Sequence, residues 1–191
     1  MATSYLNQYQ CADFLIDQVD LTIDLQDTAT KVVATYRMRR HPDATNQKAP
    51  LVLVGEDMQL LKLAIDGIDL APNTYQVGAN TLTIFEVPEH FECTQEVVIN
   101  PSANTQLSGL YKSDGCFCTQ CESEGFRRIA YALDRPDILS LYEVTLIADR
   151  IQYPVLLSNG HCVDQGDDGA DRHWAKWVDP HPKPSYLFAC S

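Results

Sequence analysis

Two side chains two residues apart, Gln120 and Glu122, are the pair in this sequence best suited to holding a ligand. In an extended segment residues i and i+2 point to the same side, so the amide and the carboxylate can share a cleft. A carboxylate pairs with an ammonium group through charge-assisted hydrogen bonds, and a neighbouring amide can satisfy a neutral polar group. A purely structural use is equally open. Thr119-x-x-Glu122 fits a capping box in which Glu122 closes onto the backbone, and Glu124 suits the positive end of a helix dipole.

Other chemistry-bearing residues do not assemble into a known set. Cys116, Cys118 and Cys121 have thiolates that suit zinc, but a structural site wants a fourth ligand and commonly a second close pair. His90, Cys93, His161 and Cys162 are all remote in sequence, so the three read as ordinary thiols beside a turn. The five histidines form no His-Glu-x-x-His, the spacing that puts two imidazoles on one helical face. His173 and His181 flank a strand and read as surface residues. The acidic run over residues 164–171 lacks the spacing and the bidentate Glu of an EF-hand, and reads as an exposed hairpin loop. There is no nucleophile elbow and no phosphate-cradling glycine loop. No catalytic residues and no metal site are expected within the chain.

The elements that must position Gln120 and Glu122 are mostly strands. Val19, Leu21, Ile23 and Leu25 alternate with polar residues, and residues 31–39 return with β-branched and aromatic side chains, giving a hairpin over 14–40. Short strands follow at 51–54, 60–65, 75–77, 81–85 and 97–100, separated by turn signals such as Asp66-Gly67, Pro72-Asn73 and Asn100-Pro101. Further strands are expected at 142–148, 154–158, 174–178 and 186–189. One short helix is expected over 123–133, where Phe126, Ile129, Ala130 and Leu133 fall at helical spacing and Pro136 closes the run. The fold class is mainly β, an antiparallel sandwich or curved sheet forming a single domain over 1–191.

Composition narrows the function. A formal net charge of -12 argues against nucleic-acid binding, which needs clustered Lys and Arg. No apolar run approaches the roughly 18–20 residues that span a bilayer. The first eight residues have neither a basic n-region nor an apolar h-region, so a cytoplasmic protein with seven reduced thiols is expected.

A set of motifs adds to this reading. Gly109-Leu110-Tyr111-Lys112-Ser113, Cys118-Thr119-Gln120-Cys121-Glu122-Ser123-Glu124-Gly125-Phe126-Arg127 and Leu133-Asp134-Arg135-Pro136-Asp137 come first. They are followed by Tyr153-Pro154-Val155-Leu156-Leu157-Ser158-Asn159-Gly160, Arg172-His173-Trp174 and the stretch from Asp179 to Ala189. In this order they resemble the N-terminal domain of the bacterial aminopeptidase N family of gluzincin zinc aminopeptidases, most distinctly over residues 105–191.

The resemblance implies a saddle-like β-rich domain that packs against a thermolysin-like catalytic domain and forms one edge of its cleft. It implies that Glu122 binds the free α-amino group of a peptide substrate and that Gln120 lines the pocket for the first side chain. Zinc is implied as the cofactor of the longer enzyme. The family's Gly-x-Met-Glu-Asn and His-Glu-x-x-His are absent here and are expected beyond Ser191, so the chain alone should neither bind catalytic zinc nor hydrolyse peptides. A docking face for the catalytic domain should show as an exposed apolar patch. The alternative is a stand-alone β-sandwich binding or docking module without catalysis.

Overall fold

The computed structural model describes residues 9–191. The initial hairpin pairs β1 (Phe14–Asp24) with β2 (Thr30–Arg40). A bulge between Ile16 and Gln18 shifts the register by one residue. This shift lets Phe14 and Ile16 before it share the buried face with Val19, Leu21 and Ile23 after it. Then come β3 (Leu51–Val54), β4 (Met58–Ile65), β5 (Ile68–Asp69), β6 (Tyr75–Val77), β7 (Thr81–Ile84) and β8 (His90–Ile99). A hairpin of β9 (Gly109–Ser113) and β10 (Cys116–Gln120) precedes β11 (Ser140–Asp149), β12 (His161–Asp167) and β13 (Arg172–Lys183).

These strands form three sheets. The largest has eight strands in the order β12-β13-β11-β1-β2-β8-β4-β5, and the smaller ones are β3-β7-β6 and β10-β9. Pairing is antiparallel except between β1 and β11, where Val19 lies opposite Tyr142 and Ile23 opposite Leu146. This parallel contact joins the initial hairpin to the C-terminal strands.

The large sheet buries one face. Val32, Ala34, Tyr36 and Met38 of β2 and Tyr142, Val144, Leu146 and Ala148 of β11 point into a core shared with Leu51, Leu53, Leu82 and Ile84 of the three-stranded sheet. Its other face is polar, carrying a Thr35–Thr94 hydroxyl contact of 3.0 Å and the pairs Lys31–Glu96 and Lys176–Glu143. Among the described residues, no helix is long and apolar enough to cross a membrane.

The helical segment is much shorter than the sequence suggests. It is a three-residue 3-10 turn at Phe126–Arg128. Beyond it Ile129, Ala130, Tyr131 and Ala132 are all buried, a burial too complete for a helix with one solvent face. Tertiary hydrogen bonds replace the helical ladder. Val54 and Ala132 exchange backbone bonds of 2.8 and 2.9 Å. The buried Gln95 amide donates to the Tyr131 carbonyl at 2.7 Å and accepts from the Tyr131 N–H at 2.9 Å.

Gln95 also explains why β8 starts at His90, well before the expected 97. Cys93 and Gln95 occupy core positions, and the amide of Gln95, which looks polar in sequence, is satisfied in place.

Three other expectations shift. Residues 154–158 and 186–189 are not regular strands. Ser158 forms one isolated bridge with Cys190, just beyond the second stretch, while Ser185–Leu187 forms a 3-10 turn. Pro154 and Pro184 lack the N–H groups that a ladder requires. The expected acidic loop over 164–171 is half strand, because Asp164 and Asp167 belong to β12, and only residues 168–171 turn the chain into β13.

Replacing Gln95 by Leu should test the amide clamp. Both backbone groups of Tyr131 would lose their partner in a dry core, so a loss of about 2–4 kcal/mol in urea unfolding is expected. An unchanged midpoint would show that the clamp contributes nothing.

Candidate functional site

β10 runs antiparallel to β9, with Gln120 opposite Gly109 and Cys118 opposite Tyr111. Its residues alternate in burial through Glu122: Phe117 and Cys121 are buried, whereas Cys116, Gln120 and Glu122 are exposed. Gln120 and Glu122 therefore lie on one side, with Cys121 turned into the core between them. The Gln120 amide reaches the Glu122 carbonyl at 3.4 Å, so the pair is adjacent.

The capping arrangement does not form. Thr119 donates to the Cys190 carbonyl at 3.0 Å and accepts from the Cys190 N–H at 2.8 Å. Its hydroxyl fastens the C-terminal segment to β10. The residue preceding the 3-10 turn is Gly125, which has no side-chain cap. Glu124 pairs with Arg127 at 3.4 Å as an i,i+3 ion pair. The Glu122 carboxylate is left at the surface, and among the described residues no ion pair uses it.

The turn that carries Glu122 is held by close backbone packing. Gly125 N–H donates to the Cys121 carbonyl at 2.8 Å. A Cβ on Gly125 would come within 2.3 Å of the Gln120 carbonyl oxygen and 2.9 Å of the Gly109 nitrogen. Gly109 has φ +74°, and a Cβ there would meet Arg128 Cβ at 2.6 Å. Two facing glycines thus let the Cys121–Gly125 turn sit directly against the start of β9.

Behind this turn two arginines lock the segment down. Arg127 Nε meets the fully buried Asp134 carboxylate at 2.8 Å, and Ser185 Oγ donates to the same carboxylate at 2.7 Å. Arg128 pairs with Glu56 at 2.6 Å and also with Asp57. Both arginines thus form ion pairs with residues outside the turn. Gly109, Gly125, Asp134 and Gln95 were not singled out as positioning residues. The glycines inside the two motifs that flank the site were the available signal, whereas Gln95 offered none.

The three thiols do not converge. Cys116 is exposed, Cys118 half-buried and Cys121 buried in the core, where desolvation pushes its thiol well above the ordinary range. Burial likewise pushes Cys190 up to about 12. Among the described residues no group of three or more His, Cys, Asp or Glu could hold a metal ion. His173 lies within β13 rather than at its flank, its Nε2 2.7 Å from the Tyr153 carbonyl, and His181 is exposed. Asp167 and Asp168 pair with Arg150 and Arg172.

Beside β10 lies an open groove of about 340 Å³ lined by Cys118, Thr119, Leu157, Ser158, Ala189 and Cys190. Val155, Leu157 and Leu187 are exposed in this C-terminal region.

The chain is 50% identical over 184 residues to aminopeptidase N of Caulobacter vibrioides, and 45% identical over 185 residues to that of Escherichia coli K12. These alignments cover 96% and 97% of this chain but 21% of each relative, so the chain spans about a fifth of their length. A crystal structure of Legionella pneumophila aminopeptidase A in complex with aspartic acid superimposes with a TM-score of 0.93 at 35% identity, over 98% of this chain and 22% of that one. An M1 zinc metallopeptidase from Deinococcus radiodurans shares the fold, with a TM-score of 0.77 at 13% identity over 93% of this chain and 42% of that one. The family model described as the Peptidase M1 N-terminal domain matches residues 8–187, nearly the whole chain, and the chain belongs to that family.

Proposed function

We propose that residues 1–191 are a single N-terminal domain of a cytoplasmic zinc aminopeptidase, which supplies one edge of the substrate cleft and the anchor for the peptide's free amino group. The observation that carries this reading is the surface carboxylate of Glu122, unpaired within the described residues and standing beside Gln120. Aspartic acid, present in the Legionella relative's complex, bears an α-ammonium group of the kind a carboxylate recognises. Glu122 accepts hydrogen bonds from that ammonium, and Gln120 faces the first side chain. Holding the amine at a fixed point selects which peptide bond can reach the reacting centre, a proximity effect.

The described residues do not fit the zinc that a zinc aminopeptidase requires. In this reading the metal, which polarises the scissile carbonyl and activates water, is held by a thermolysin-like domain elsewhere in the parent enzyme. The exposed apolar residues around Leu157 and Leu187 are the face offered to that domain. The partners are thus peptides with a free N-terminus and the catalytic domain of the same chain, with no nucleic acid and no membrane.

In the full-length enzyme, Glu122→Gln should lower kcat/KM for peptides with a free amino group by about 10–100-fold, the worth of a hydrogen bond to a charged group. Turnover and affinity equal to the unsubstituted enzyme would rule out the anchoring role. Gly125→Ala should displace the Glu122 turn and raise KM severalfold, since a methyl 2.3 Å from the Gln120 carbonyl oxygen cannot be accommodated. An unaltered KM in a folded enzyme would show that this turn does not set the site. The 191-residue chain assayed alone should release no amino acid from peptides, and measurable release would place a reacting centre inside it.

A further inference from the structure

A cavity of about 10 Å³ lies between the large sheet and the segment that carries Asp134, and its lining includes Tyr36, Asp134, Ser140, Tyr142 and Ser185. That is roughly the space of one water-sized sphere. Tyr36 is fully buried on β2, and its hydroxyl has no hydrogen-bond partner among the described residues. A hydroxyl taken out of water is costly to leave unbonded.

The groups around it have acceptor capacity to spare. Asp134 Oδ2 already accepts from both the backbone N–H and the Nε of Arg127, but Oδ1 accepts only from Ser185 and has a further lone pair. Ser140 Oγ gives its proton to the Ile16 carbonyl at 2.6 Å, so toward the cavity it can only accept. Ser185 Oγ, donating to Asp134 at 2.7 Å, is in the same position. A cation has no call on the site, because Arg127 already neutralises the Asp134 charge at 2.8 Å.

We propose that this cavity binds one structural water, which accepts the Tyr36 hydroxyl proton and donates its own two protons to acceptors among Asp134, Ser140 and Ser185. The water connects the middle of the large sheet to the carboxylate that holds the Phe126–Arg128 turn, and so completes the support behind the Glu122 turn. It is independent of what Glu122 binds.

A crystal structure of the protein, at a resolution that orders other buried waters, should show density about 2.6–3.2 Å from Tyr36 Oη. Tyr36→Phe should raise the unfolding equilibrium constant about fivefold in urea titrations, because a satisfied hydroxyl is removed. If the hydroxyl is an orphan, the same substitution leaves the protein equally or more stable. Density together with destabilisation is expected. An empty cavity in the density, or a Tyr36→Phe protein as stable as the original or more so, would overturn the assignment.

Discussion

Buried backbone must find hydrogen-bond partners, and the stretch between β10 and β11 has to meet that demand with no regular element of its own beyond one 3-10 turn. Each solution is an individual contact. Gln95 serves Tyr131 in both directions, Val54 serves Ala132, and Glu56 N–H bonds the Arg127 carbonyl at 2.9 Å. Asp134 accepts from the Arg127 backbone at 3.3 Å as well as from its guanidinium. The candidate site sits at the front of this segment, so its position depends on contacts contributed by β3, β8 and the C-terminal turn.

That dependence gives the site an uneven character. Gln120 and Glu122 are exposed, whereas the residues immediately behind them are among the least accessible in the chain. The facing glycines remove the slack that side chains would introduce at the turn. Thr119 adds a second tether by gripping both backbone groups of Cys190. These contacts fix the backbone of the turn from which the Glu122 side chain projects.

Strand positions were legible where burial was one-sided. The alternation of Val19, Leu21 and Ile23 marked β1 because one face of that strand packs on the core and the other meets water. β3, β6 and β7 were legible through the turn residues that bound them. The signal failed where a strand's core face carries polar atoms, as in β8, and where an acidic edge strand looks like a loop, as in β12. It also failed over 123–133, because the apolar spacing that suggested a helix spans residues 129–132, four consecutive residues that are all buried. Periodicity reports which residues seek the core, not how the backbone there is satisfied.

The sequence by itself determined the β class, the adjacency of Gln120 and Glu122 and the motif order that marks the family, since these reside in local pattern and residue identity. Tertiary structure alone decided whether Glu122 caps a helix or stands free. The choice turned on Thr119, whose hydroxyl is claimed by Cys190, 71 residues away in sequence. It turned equally on Gln95, which satisfies backbone that a helix would otherwise have had to satisfy. Local sequence cannot express such a competition, because the winning partner comes from a distant strand and prevails only once water has been excluded.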